Sequence, residues 1–286
     1  QKQASLCYKK LSMSKKNSNV NLKNRFENFQ DLSKIYLNFE KKINHLKKKS
    51  FLVAVSGGPD SLALAALTKA YNYRKKIQFH YVLVDHNIRT NSKQEAKKVK
   101  KILKKKQINL RILLNKKKIT RNIQAEARDS RYQILVNYCK KNNIKILLTA
   151  HNLEDQVETF FIRLSRGSGL KGLSAMKPLS VINNNIKLYR PLLDMEKKFL
   201  IKISKKTFGK FIKDPSNNNL KFLRTKIRNL KKTLENSGIK YERIFKSIQN
   251  LSISKNTLEG YLNKIFKELI YKKKKEIFIN LKKYEE

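Results

Sequence analysis

Residues 51–61 read FLVAVSGGPDS, an apolar, β-branched run that stops at a serine, two glycines, a proline, an aspartate and a serine. Phe51–Val55 has the composition and length of a buried strand. Ser61–Ala70 (SLALAALTKA) is rich in Leu and Ala and reads as a helix packed on a sheet. The turn between them brings backbone N–H groups close to an anion. Gly57 and Gly58 lack a Cβ, so they permit that approach and any positive φ it requires. Pro59 suits the first turn of the helix, where a missing N–H costs nothing. The positive end of the helix dipole then faces the negative group in the loop.

Two better-known phosphate loops are excluded. No Lys follows the glycines, as GxxxxGK with Ser or Thr demands, and the third glycine of GxGxxG is absent. Asp60 adds a carboxylate beside the phosphates, which is consistent only with a bridging divalent cation such as Mg²⁺. Ser56, Gly57, Gly58, Pro59, Asp60 and Ser61 are the candidate phosphate-binding residues. The plainer alternative is a tight strand-to-helix turn with incidental small residues.

A formal net charge of +46 with a pI near 10.3 marks nucleic acid as the leading partner. Part of that excess reflects joint over-use of Lys, Asn and Ile, as an AT-rich genome produces. At 286 residues the chain has room for one large domain and a smaller one. Cys7 and Cys139 are its only cysteines, which argues against a disulfide framework, a Cys-rich zinc site and an iron–sulfur cluster. A reducing cytoplasm fits best. No apolar run reaches membrane-spanning length, so no membrane partner is expected. The chain begins with Gln1, which reads as a trimmed or incomplete start. Nothing in the sequence specifies an oligomeric state.

Residues 1–24 read as a flexible basic segment. From Arg25 the apolar positions Phe26, Phe29, Leu32, Tyr36, Phe39, Ile43 and Leu46 recur at helical spacing, a stripe for core packing. Strands follow at Ile77–Val84, Asn109–Leu114 and Ile144–Thr149, separated by a helix opened by a Ser92/Glu95 capping box and a long helix over Asn122–Asn142. This alternation predicts an α/β fold: a parallel twisted sheet with helices on both faces. Ligands of such sheets bind outside the carboxyl ends of the strands. The Ser56 loop, the Asp85–Arg89 segment and the His151 segment all follow strands, so all three are expected on one edge. Asn183–Asn185 suggests a hairpin turn within Val181–Arg190. The expected domains are residues 25–215, which hold the phosphate loop and its sheet, and 220–286, a small basic helical domain.

In AHNLEDQVET (150–159), Asp155 and Glu158 share a helical face near its start. They suit a Mg²⁺ ion or an incoming ammonium group; acids that complement the helix dipole are the alternative. His86 and His151 are candidate ligands or polar contacts, or simply structural. Arg128 and Arg131 in EARDSRY lie on one side of a helix, facing phosphates or solvent.

SGGPDS, DHNIRTNS, EARDSRY, AHNLEDQVET, RLSRGSGLKGLSAM (163–176) and RPLL (190–193) occur in that order. Together, over residues 28–230, they closely resemble the tRNA(Ile)-lysidine synthetase family of the PP-loop ATP pyrophosphatase superfamily. The resemblance implies an ATP- and Mg²⁺-dependent ligase. Its substrates would be free L-lysine and the wobble cytidine of the CAU-anticodon tRNA(Ile). The cytidine C2 oxygen would be adenylated with release of pyrophosphate. The lysine ε-amine would then displace AMP, giving lysidine and changing decoding from AUG to AUA. Residues Ser56–Ser61 would bind ATP phosphates, with Asp60 near the metal. Asp155 and Glu158 would orient the amine, and His86, His151, Arg128 and Arg131 would contact ATP or the target nucleotide.

Asn152 and Glu154 replace the family's usual histidine and aspartate, which weakens any role for those two positions. DPSN at 214–217 matches, whereas the expected Arg-Asn pair is Arg224-Thr225, with Arg228 following. The short C-terminal region implies that the family's additional tRNA-binding domain is missing. Thiolation by a related PP-loop protein is the runner-up, but it calls for a catalytic cysteine or CxxC. A non-catalytic basic RNA-binding protein that retains the nucleotide fold is the third reading.

Overall fold

The computed structural model describes residues 22, 26, 30–73, 77–88, 90–117, 123–183, 185–212, 219, 222–273 and 276–280. Residues 1–150 with 179–213 form one compact unit, and 151–178 with 214–286 form another. The segment 151–178 packs within the second of these units.

The first unit is built on a six-stranded sheet. In chain order it contains α1 (Gln30–His45), β1 (Ser50–Ala54), α2 (Pro59–Tyr71), β2 (Gln78–Asp85), α3 (Ser92–Lys104), β3 (Leu110–Leu114), α4 (Ile123–Lys141) and β4 (Ile146–Leu148). The hairpin β5 (Leu179–Asn183) and β6 (Ile186–Tyr189) and helix α7 (Lys197–Phe208) complete it. The strand order is β3-β2-β1-β4-β6-β5. All neighbours are parallel except the β5–β6 hairpin, which carries a register shift between Val181 and Asn183.

Alternation along β1 sorts the core onto two faces. Phe51, Val53 and Val55 pack with Phe39 and Ile43 of α1, the Leu- and Ala-rich α2, Val99 and Leu103 of α3, and Leu200 and Ile203 of α7. Leu52 packs on the opposite face with Val82, Leu147 and residues Leu135, Val136 and Cys139 of α4. A strand buried on both sides reads as a continuous apolar run, as FLVAV does. Each such side chain stabilises the fold by about 1.5–3 kcal/mol. In the expected aromatic stripe, Phe26, Leu32, Tyr36, Phe39 and Ile43 are all at most 2% exposed, and Leu46 packs against the same core. Phe29 lies outside the described residues.

One local expectation fails. Helix α3 starts one residue earlier than a Ser92/Glu95 box requires. Asn91 is the N-cap, without a side-chain bond, and Glu95 N–H bonds to Asn91 C=O. Ser92 is thus already the first helical residue, and its hydroxyl cannot cap.

The second unit contains α5 (Leu153–Leu164), α6 (Leu170–Leu173), α8 (Leu223–Asn229), α9 (Lys231–Asn236), the 29-residue α10 (Tyr241–Leu269) and a two-stranded hairpin, β7 (Ile270–Lys273) and β8 (Glu276–Ile279). Its small core joins Leu153 and Val157 of α5 to Tyr241 and Ile248 of α10. No helix among the described residues is long and apolar enough to cross a membrane.

Candidate active site

The sheet changes direction at β1. The chain steps outward from β1 to β2 and β3, then returns to the other side of β1 as β4. The carboxyl edge at this reversal is where open α/β sheets bind ligands. The SGGPDS loop leaves β1 there, and the neighbouring strands end at Asp85 and Leu148 on the same edge.

Ser61 holds the loop in shape. Its Oγ accepts from the N–H groups of Ser56 and Gly57 at 3.1 Å each and donates to Gly58 C=O at 3.0 Å. Those three bonds fill a hydroxyl's one donor and two acceptor sites. The exposed Ser56 hydroxyl, 3.1 Å from Ser61 Oγ, competes for a filled acceptor and is the group best placed to turn toward a ligand. Pro59 opens α2, and Leu62 N–H makes the first intrahelical bond to Gly58 C=O. Gly57 has φ +88°, and a Cβ there would stand 2.5 Å from Val99 Cγ2. Its carbonyl accepts from Ile212 N–H at 3.0 Å, so the segment after α7 braces the loop. Lys197 Nζ lies 4.0 Å from Asp60 Oδ2 in the first turn of α2. No sequence pattern marked this lysine.

At the end of β2, Asp85 is 4% exposed. Its Oδ1 accepts from Asn87 N–H at 2.9 Å, an Asx turn that lets Asn87 adopt φ +52°. Burial and the Arg131 guanidinium push the His86 pKa down against an upward pull from Asp85, which favours the neutral ring. Arg128 and Arg131 lie on α4 with guanidinium carbons 5.1 and 5.6 Å from the Tyr132 ring centroid. Arg89 and the DPSN element at 214–217 lie outside the described residues.

The second unit carries its own charged cluster. Half-buried His151 precedes Asn152, the N-cap of α5. Asn152 and Asp155 form a reciprocal capping box: Asp155 N–H donates to Asn152 Oδ1 at 3.0 Å and Asn152 N–H to Asp155 Oδ2 at 3.1 Å. Glu158 is 2% exposed and bidentate with Arg228, at 2.7 and 3.0 Å. Arg224 Nε approaches Glu158 at 2.9 Å as an ion pair, and Arg224 Nη2 stands 3.9 Å from Asp155 Oδ1. Lys231 pairs with Glu154 at 3.1 Å and sits 4.9 Å over the Tyr241 ring. The three acids 154, 155 and 158 thus meet three cations. Of the two candidate acids, Asp155 keeps the more accessible oxygen, and Glu158 is clamped. The sequence signal for the clamp is the i, i+4 spacing of Arg224 and Arg228 on α8. Arg163 orders the following turn by donating to the carbonyls of Gly172 and Ala175 at 2.7 and 2.9 Å.

A family model described as a PP-loop domain matches residues 31–234, more than half of the chain. The tRNA(Ile)-lysidine synthase of Orientia tsutsugamushi is 44% identical over 185 residues, 64% of this chain and 41% of that protein. The enzyme of the same name from Wolbachia pipientis wMel is 39% identical over 221 residues, 76% and 51% of the two chains. That of Zymomonas mobilis is 39% identical over 184 residues, 63% and 55%. The chain thus spans about half the length of these relatives. Among solved structures, the U34-tRNA thiolase NcsA of Methanococcus maripaludis aligns with a TM-score of 0.59 at 18% identity over 71% of each chain, a likeness of fold. The loop at the sheet's reversal, in a match that runs from α1 through α9, identifies the chain as a member of the PP-loop family.

Proposed function

We propose that the protein is an ATP-dependent ligase that joins lysine to C2 of the wobble cytidine of CAU-anticodon tRNA(Ile), acting in the cytoplasm. The observation that carries this reading is the SGGPDS cradle at the sheet's reversal, in a chain 34–44% identical to lysidine synthases over most of its length. An amide-like C2 carbonyl is a poor electrophile. Its oxygen attacks the α-phosphorus of ATP, forms a new O–P bond, and expels pyrophosphate. The lysine ε-nitrogen then forms a bond to C2, loses a proton, and AMP departs with the former carbonyl oxygen.

Backbone N–H groups at the start of α2 and the Ser56 hydroxyl are suited to charge building on the departing pyrophosphate. Asp60 would hold Mg²⁺: a lone carboxylate suits an ion that takes most of its ligands from water and substrate phosphates. When bound, that ion supplies Lewis-acid neutralisation of the phosphates. Lys197, beside Asp60, adds a second positive group for the same anion. Asp155, with its more accessible oxygen, serves as the acceptor for the lysine ammonium group. Glu158 keeps Arg224 and Arg228 in register beside it. Arg128, Arg131, His86 and His151 are assigned to ATP or the target nucleotide.

The thiolase likeness raises sulfur transfer as a competing chemistry. Cys139 is fully buried on α4, and burial pushes its thiol pKa up to about 12, the opposite of an activated nucleophile. Cys7 lies outside the described residues. The test is incubation with CAU-anticodon tRNA(Ile), ATP, Mg²⁺ and radiolabelled lysine. Label in the tRNA, matched one-to-one by AMP, supports the reading. Unlabelled tRNA from folded, ATP-binding protein overturns it, as does incorporation from a sulfur donor.

A further inference from the structure

Helix α3 carries Lys93, Lys97, Lys98, Lys100, Lys101 and Lys104 against one acid, Glu95, a net charge of +5 over 13 residues. All six lysines are exposed, whereas Ala96, Val99, Ile102 and Leu103 are buried in the core. Lys93, Lys97, Lys100 and Lys104 follow one another at helical spacing, a stripe about 16 Å long. Its Lys100 forms part of the wall of a cavity of about 440 Å³. Arg111 of β3, His80 of β2 and Tyr138 of α4 line the same cavity, and none of the described residues around it is acidic. The Arg111 guanidinium lies 5.6 Å over the Tyr138 ring, and Tyr138 Oη is within hydrogen-bond distance, 3.2 Å, of His80 Nδ1.

The far end of this cavity lies away from the phosphate loop, although α3 itself passes the loop at Val99, beside Gly57. The cavity involves Phe79–Tyr81 at the amino-terminal half of β2, whereas the candidate site lies past Asp85. Phe79 stands six positions before Asp85, about 20 Å along the strand, and the near end of the cavity, at Ile112 opposite Leu83, is two positions short of Asp85, about 7 Å. The lysine stripe and the cavity together extend beyond a single nucleotide, and a polyanion spans them.

Lysine outnumbers arginine 54 to 13 in the whole chain, so lysine is what compositional bias supplies. An arginine stacked on a tyrosine at a sheet edge is not explained by that bias. Guanidinium–aromatic pairs offer a flat surface to a base and donors to a phosphate. A membrane surface fits less well. Helices that lie on bilayers insert their apolar face, and that of α3 is already consumed by the core.

The geometry points to a second RNA-binding surface in this protein: the outer face of α3 tracks a phosphodiester backbone, and the Arg111–Tyr138 cavity takes a nucleotide from the same strand. The inference rests on the tRNA reading above and adds a contact beyond the phosphate loop. Its role is to hold the body of the tRNA.

The test compares full-length wild type with Lys97→Ser/Lys100→Ser/Lys101→Ser and, separately, Arg111→Gln. Binding of a CAU-anticodon tRNA(Ile) transcript is measured across a salt series, with ATP binding and thermal melting as controls. Loss of three phosphate contacts lowers the slope of log K against log salt by about 2 and weakens binding about 10–100-fold at 0.1 M salt. Arg111→Gln lowers the slope by about 1. ATP binding and melting stay unchanged in both. Equal slopes for wild type and triple variant overturn the inference. So does lysine-dependent binding to phosphatidylserine vesicles with an unaltered tRNA slope, which assigns the face to membranes. Wild type that binds the transcript but transfers no lysine overturns the ligase reading alone; wild type that binds no tRNA overturns both.

Discussion

Gly57 offers the sharpest test of how the loop is built. Its φ of +88° and its approach to Val99 are independent reasons for having no side chain. In Gly57→Ala the backbone term costs about 1–2 kcal/mol, the penalty an L-residue meets in left-handed space. The new Cβ would stand 2.5 Å from Val99 Cγ2, a core side chain 1% exposed, and relieving that overlap costs about 1–3 kcal/mol. The sum, about 2–5 kcal/mol, is a large share of the ~5–15 kcal/mol that holds a domain together. Val99→Ala removes the obstructing methyl and leaves φ untouched. Urea unfolding of wild type, both single variants and the double variant isolates the steric part as a coupling energy. The double variant is expected to be less destabilised than the sum of the singles by about 1–3 kcal/mol. Additivity within ~0.5 kcal/mol would refute the packing argument.

Other consequences are open to measurement. Arg228→Ala removes its two hydrogen bonds to buried Glu158 and leaves Arg224 as the remaining cation beside it among the described residues, so a loss of about 2–4 kcal/mol is expected on urea unfolding. Glu158→Gln in that background should recover part of the loss, and no recovery would mean that the unpaired charge is not the cost. Cys139, examined in a Cys7→Ser background, should resist thiol reagents at pH 8 in the native state and react only after unfolding; fast native labelling would contradict its burial. His80 and His86 both have pKa values held below 6.5, by burial and by Arg111 and Arg131 respectively. The unfolded chain therefore takes up protons first, and stability should fall as pH drops from about 6.5 through the folded values. Melting temperatures that stay level or rise from pH 7 to 5.5 would contradict this.

Local patterns made the first unit legible. FLVAV, SLALAALTKA and IKILLT report strand, helix and strand because each is buried on both faces or covers one, and burial leaves its mark in consecutive residues. The expected limits fall within two residues or so of β1, α2 and β2. Residues 151–178 join the second unit through packing of Leu153 and Val157 on Tyr241 and Ile248. That pairing spans nearly a hundred positions and leaves no periodic trace. The hairpin β7–β8 escaped notice because IYKKKKEIFI shows lysines where alternation would otherwise show. At the site, the loop was legible because glycine, proline and a small hydroxyl are each demanded by its backbone. The roles of Asp155 and Glu158 were not separable: both sit on one face of α5, and only their partners distinguish a capping acid from a clamped one.

The central claim is that ATP is gripped at Ser56–Ser61 and cut between its α- and β-phosphates. Product analysis with α-labelled ATP tests it most directly. Wild type given CAU-anticodon tRNA(Ile) should release pyrophosphate and yield AMP once lysine is added. Asp60→Asn should remain folded and yield neither. Release of ADP and inorganic phosphate, or full AMP formation by Asp60→Asn, would contradict the account.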